Sequence, residues 1–162
     1  MNIIASGDVY VGQGLGLIQT TLGSCVAVCA RDPIAKVVGM NHFALPDSSD
    51  AVSKSKRYGV HAMEVLLNEL YKIGAEKNRL ELFYAGGAMI SEMPGRVGWL
   101  NIGFVEEFCC IENLKVVGRC VGGNRGRKLL YFGATGRGVS SFLTSYLDEN
   151  PVEKTGGSME LF

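Results

Sequence analysis

The sequence predicts an α+β layered fold, strand-rich with mixed sheets and two main helices, and three observations carry that expectation. Short apolar or alternating runs, separated by glycine and other turn residues, fill most of the chain. Neighbouring runs lie close enough to pair as hairpins, which opposes a doubly wound parallel sheet. Only two stretches carry helical spacing. The 162 residues are read as one domain, 1–148, followed by a polar tail, 149–162.

Asp8-Val9-Tyr10-Val11 opens the strands, and Gly12, Gly14 and Gly16 behind it permit tight turns. Leu17 to Leu22 is a second strand, ended by Gly23-Ser24. Cys25 to Ala30 is apolar on both faces and stops at Arg31-Asp32-Pro33, a turn signal. Lys36 to Leu45 returns as its hairpin partner. The small polar residues from Pro46 through Lys56 are expected to form a mobile loop. From about Tyr58 to Ile73, residues Val60, Met63, Leu67 and Leu70 recur at three- and four-residue steps, and Gly74 stops the helix.

Leu80 to Tyr84 alternates as a strand toward Gly86-Gly87. Asn101 is expected to open a second helix running to about Asn113, with Val105, Phe108 and Cys109 on one side. Val116 to Val121 is a strand, and Gly122 to Arg127 reads as a flexible, solvated basic loop. Lys128 to Phe132 and Val139 to Leu143 form a closing hairpin across Ala134-Thr135-Gly136. Within the tail, Met159, Leu161 and Phe162 are the residues able to dock.

Composition removes several functions. Sixteen basic residues against sixteen acidic ones leave no net charge, which opposes a nucleic-acid binder working through Arg125, Arg127, Lys128 and Arg137. Apolar residues at 47% and charged residues at 20% exclude a disordered chain. The five cysteines, Cys25, Cys29, Cys109, Cys110 and Cys120, are odd in number, and two of them are adjacent, so they do not make a disulfide framework. Met1 to Asp8 lacks the basic start and apolar run of a secretory leader, and no run approaches the roughly 18 apolar residues of a membrane span. Free thiols and no membrane insertion together point to the cytoplasm.

Cys25 follows the Leu22-Gly23-Ser24 turn at the head of an apolar strand. Such a turn presents a thiol at the strand's end and aims the backbone N–H groups around Gly23, Ser24 and Cys25 at an oxyanion. A thiol at neutral pH needs a base beside it, and the chain has only His42 and His61 to offer. A hairpin turn centred near Pro33-Ile34 sets His42 opposite Cys25, within reach. The blander reading is that Cys25 and His42 are packing residues, as most strand cysteines are. His61 falls off the apolar helix face and reads as solvated.

No metal or organic cofactor is expected. Cys25 and Cys29 would stand about 13 Å apart on a strand, and the gap between the histidines does not suit a zinc finger. Gly12-Gln13-Gly14-Leu15-Gly16 has the wrong spacing for a dinucleotide fingerprint, and Gly133-Ala134-Thr135-Gly136-Arg137-Gly138 lacks the lysine of a phosphate loop. Cys109, Cys110 and Cys120 are read as core residues.

The run Thr20-Thr21-Leu22-Gly23-Ser24-Cys25-Val26-Ala27-Val28-Cys29, then Arg31-Asp32-Pro33 and Gly39-Met40-Asn41-His42-Phe43-Ala44-Leu45-Pro46-Asp47-Ser48, resembles the chemoreceptor glutamine deamidase family CheD. The resemblance reappears at Tyr58, Ala85-Gly86-Gly87-Ala88, Asn101-Ile102-Gly103 and Gly122-Gly123-Asn124-Arg125-Gly126-Arg127. It implies a layered α/β sandwich related to toxin-type glutamine deamidases. It also implies a bacterial protein-glutamine glutaminase that converts glutamines of methyl-accepting chemotaxis receptors to glutamate. The family's nucleophile falls on Cys25 and its histidine on His42; its threonine falls on Thr20, with Thr21 possible and Gln19 the match in another form of the motif. A CheC-type response-regulator phosphatase is the second partner the resemblance implies. A catalytically idle adaptor that binds receptors or that phosphatase is the rival reading.

Overall fold

The computed structural model describes residues 1–46, 52–90, 97–144 and 159–161. These form ten strands and two α-helices in three layers. One sheet orders β1 (Asn2–Ile3), β3 (Leu17–Leu22), β8 (Arg127–Phe132), β9 (Arg137–Phe142) and β10 (Met159–Leu161) side by side. The other orders β2 (Val9–Gln13), β5 (Val37–Phe43), β4 (Val26–Asp32), β6 (Glu81–Gly86) and β7 (Lys115–Val121). β1 joins β3 and β6 joins β7 in parallel, while the other pairs are antiparallel. The expected α+β class, strand-rich with mixed sheets and two helices, is what the chain adopts.

Side-chain alternation sorts two cores. Val26, Val28 and Ala30 of β4 face helices α1 (Val52–Lys72) and α2 (Val97–Ile111), packing on Met63, Leu66, Leu70, Ile102 and Val105. Ala27 and Cys29 face the opposite sheet and meet Ile18, Leu22, Leu129 and Tyr131. β4 is therefore buried on both faces, as its continuous apolar run requires.

Both helices end in Schellman caps. Gly74 at φ 109° closes α1, with the Ala75 N–H donating to Leu70 O; Asn113 at φ 52° closes α2, with the Leu114 N–H donating to Cys109 O. Each helix starts earlier than its apolar spacing suggests. α1 begins at Val52, so the part of the expected loop from 52 to 56 is helical, while 47–51 lies outside the described residues. Ser53, Lys54, Ser55 and Lys56 carry no apolar rhythm, yet lysine is a competent helix former and the turn they make costs little. α2 begins at Val97, so Asn101 sits inside the helix, fully buried, instead of capping it.

Three further expectations change. Cys110 is exposed, whereas Cys29, Cys109 and Cys120 are buried. Arg127 is not solvated: it opens β8 opposite Leu22, 1% exposed, and donates to the carbonyls of Cys120 and Gly122. A strand position facing inward buries whatever residue occupies it, and the two terminal nitrogens of the guanidinium meet carbonyls there, while its Nε is buried without a partner among the described residues. Met159–Leu161 pair antiparallel with β9, so the end of the chain adds a strand; Phe162 and 149–158 lie outside the described residues.

Asp32, fully buried, knits the β4–β5 turn to the segment after α1. Its carboxylate accepts from the N–H groups of Ile34, Ala35 and Glu76 and from Arg79 Nε. Burial by itself raises a carboxyl pKa, but these donors outweigh it and hold the group below its usual range. Asp32→Ala strands the backbone donors and is expected to cost about 3 kcal/mol of stability. Urea titration checks this: the midpoint falls at unchanged slope, and a midpoint equal to the parent's refutes the assignment.

Candidate active site

The site lies where one end of the two sheets comes together. β4 and β5 close at Asp32 opposite Val37, with residues 33–36 as the turn and Lys36 in the left-handed region at φ 56°. That turn is centred one residue later than expected, so His42 faces Ala27 and not Cys25. The correction is two positions along the strand and leaves the face unchanged. His42 pairs with Ala27, which points at the opposite sheet, and half-buried Cys25 packs against the same inter-sheet core. Cys25 thus lies two residues before the one that His42 faces, in the bend that leads into β4.

Thr20 reaches the imidazole from the other sheet. Its Oγ1 lies 2.7 Å from His42 Nδ1 and 2.8 Å from Ile4 O, with both side chains almost fully buried. Counting protons settles the direction. Ile4 O only accepts, so it takes the single hydroxyl proton, and the contact with His42 then requires a proton on Nδ1. The ring is therefore the Nδ1–H tautomer, with the Nε2 lone pair available to accept. Of the three alternatives at this position, Thr20 meets His42; Thr21 is exposed, and Gln19 alternates to the other face of β3.

Burial lowers His42 from 6.5 to about 4, with the Asp8 carboxylate pulling the other way. The main chain also holds it: the Gly7 N–H donates to His42 O and the His42 N–H to Asp8 O.

The turn before Cys25 is fastened on two sides. The Gly87 N–H donates to Cys25 O and the Ala88 N–H to Gly23 O, which lays the end of β6 along it. Gly86 adopts φ 113°, and a Cβ there would stand 2.1 Å from Cys25 O, so only glycine fits. From the helix layer, Asn101 Nδ2 donates to Ser24 O at 2.8 Å. Gly23 and Ser24 thus sit at the lip of the site, half-buried like Cys25. Ile4, Asp8 and Asn101 were not legible as site residues: two contribute backbone atoms, and the third looks like a helix cap. His61 is exposed on α1.

A cleft of about 540 Å³ runs between α2 and β7, lined by Trp99, Ile102, Gly122, Gly123, Arg127 and Phe142 among others. Arg125 and Lys128 are exposed, but the burial of Arg127 breaks the basic stripe that nucleic-acid binding would use. Among the described residues, no helix is long and apolar enough to cross a membrane.

Residues 44–140 match the family described as CheD chemotactic sensory transduction. Proteins named probable chemoreceptor glutamine deamidase CheD are similar over most of their length. That of Saccharophagus degradans is 38% identical, over 96% of this chain and 82% of that protein. That of Sinorhizobium medicae is 40% identical over 90% and 86%, and that of Rhizobium meliloti 46% over 84% and 80%. A Neisseria meningitidis crystal structure superposes with a TM-score of 0.49 at 10% identity, over 80% of this chain and 70% of that one.

The environment of His42 predicts an acid-sensitive fold. The unfolded imidazole protonates near 6.5 and the folded one near 4, so below pH 6.5 protons favour the unfolded chain. Stability present above pH 6.5 is lost on acidification, approaching about 3 kcal/mol by pH 4. Urea midpoints of the parent and His42→Gln between pH 7 and pH 4 check this; parallel curves refute it.

Proposed function

This chain belongs to the CheD family, and we propose on that premise that it deamidates glutamine side chains of methyl-accepting chemotaxis receptors, leaving glutamate and releasing ammonia. The observation that carries the mechanism is the buried Thr20–His42 pair, which leaves Nε2 as the basic atom on the face that Cys25 shares.

His42 Nε2 takes the proton of the Cys25 thiol, and the sulfur attacks the carboxamide carbon of the glutamine. The carbonyl π electrons move to oxygen, and the N–H groups of the Ser24-Cys25 turn hold the oxyanion. As the tetrahedral centre collapses, the C–N bond breaks and imidazolium delivers its proton to nitrogen, so ammonia leaves. Water, deprotonated by His42, then attacks the thioester; the C–S bond breaks, glutamate forms and the thiol regains its proton. Thiol attack and thioester hydrolysis each begin with a neutral imidazole, and a ring whose pKa is held well below its ordinary value supplies one at physiological pH. Thr20 orients the ring and fixes its tautomer.

The substrate is a cytoplasmic receptor segment, and the protein works in the cytoplasm. A CheC-type phosphatase is its second partner, meeting the surface that receives the receptor. The 1–148 unit carries the chemistry.

The test is mass spectrometry of a receptor cytoplasmic fragment incubated with the protein. Expected are mass increases of about 1 Da at particular glutamines, absent with Cys25→Ala, and lowered about 10- to 100-fold by Thr20→Val but not by Thr20→Ser. No shift with the parent protein, while the fragment still binds, supports the idle adaptor instead.

A further inference from the structure

The two catalytic segments come from different stretches of chain, and one buried side chain touches both. Asn101, fully buried inside α2, donates from Nδ2 to Ser24 O at 2.8 Å and accepts at Oδ1 from the Leu45 N–H at 2.8 Å. Ser24 is the residue before Cys25, and Leu45 lies three residues after His42. The amide thus spends one donor on the nucleophile's turn and its acceptor on the end of the base's strand. Its length sets the gap between them.

The donor arm also fixes an orientation. In a trans peptide the C=O and the next N–H point in opposite directions. Holding Ser24 O toward α2 therefore turns the Cys25 N–H away from the helix layer, on whose far side His42 and the inter-sheet core lie. Released, that peptide gains freedom to rotate, and an oxyanion donor would be lost.

One turn earlier on α2, Gly98 brings the helix into backbone contact with the same region. A Cβ on it would stand 2.5 Å from Gly87 O and 2.7 Å from Ala88 O, the two residues whose N–H groups hold Cys25 O and Gly23 O. Gly98 and Asn101 stand three apart and share a helix face. α2 is therefore seated on the nucleophile's turn at two successive points, one by shape and one by hydrogen bonds.

The geometry points to Asn101 as a positioning residue for the reaction, one that holds the Ser24–Cys25 peptide in its oxyanion-donating orientation and sets the spacing between Cys25 and His42. This role rests on the reading of Cys25 as nucleophile and His42 as base.

Two variants separate the arms. Asn101→Leu fills similar volume and removes both; Asn101→Asp keeps an acceptor for Leu45 and sets a carboxylate against Ser24 O. Each is treated with iodoacetamide across pH, with every cysteine read by peptide mass spectrometry, and kcat and KM are measured on a receptor cytoplasmic fragment. Cys29 is the internal control for folding, since it is fully buried and burial pushes its thiol pKa well up.

Both variants are expected to lower kcat about 10- to 100-fold with KM within about threefold, and to move the pH midpoint of Cys25 alkylation upward while Cys29 stays protected. An unmoved Cys25 midpoint with parent-like kcat overturns the proposal. So does a loss of activity that merely follows the exposure of Cys29, which marks a purely structural role. His42→Gln is the separate arm: if it leaves the Cys25 profile unchanged, the thiol–imidazole reading fails. If it shifts the profile and the Asn101 variants do not, only the positioning role fails.

Discussion

A hydroxyl has one proton to give, and the arrangement of this protein turns on where Thr20 sends it. Ile4 O takes it, so Thr20 can only accept from His42. That bond crosses between the sheets, from β3 to β5, and it forms only if the sandwich closes to hydrogen-bonding distance at this end. The packing of Ile18, Leu22, Leu129 and Tyr131 on Ala27, Cys29 and Met40 supplies that closure. The inter-sheet core and the orientation of the imidazole are consequences of one spacing.

The same closure excludes water from His42. In a low-dielectric setting the neutral ring is favoured, which suits a group that begins by accepting a proton. It also makes the imidazole a liability in acid, because among the described residues only the exposed Asp8 carboxylate favours the charged ring. The neutral ring and its sensitivity to acid come from the same burial. Three other buried polar side chains have more than one partner: Asp32 meets backbone donors and Arg79, Arg127 meets carbonyls, and Asn101 meets one carbonyl and one N–H. Asp32 and Asn101 join segments distant in sequence, while Arg127 ties β8 to the end of β7.

Most of the strands were legible because apolar alternation and turn residues are local signals. β3 matches its expected bounds, and the hairpins β4–β5 and β8–β9 stand where Asp32-Pro33 and Ala134-Thr135-Gly136 suggest. Helix starts were not legible, since Ser53 to Lys56 and Val97 to Leu100 lack the rhythm that marks a buried face. Cys25 and His42 stood out by residue type and context, but their register shifted by two because a turn's length is decided by how its hydrogen bonds close. Arg127 was misread for a simpler reason: charge describes a side chain's chemistry, while burial depends on which way the strand faces.

The sequence by itself determined the class of fold, the order of its elements and the pair of residues capable of thiol chemistry. All three follow from composition, periodicity and residue type, which act over a few neighbouring positions. Only the tertiary structure decided that Thr20 meets the imidazole, which ring nitrogen holds the proton and what spans the gap between the segments that carry Cys25 and His42. These are contacts between groups 16 to 77 positions apart in the chain, and directional bonds of under 3 Å exist only once layers have packed.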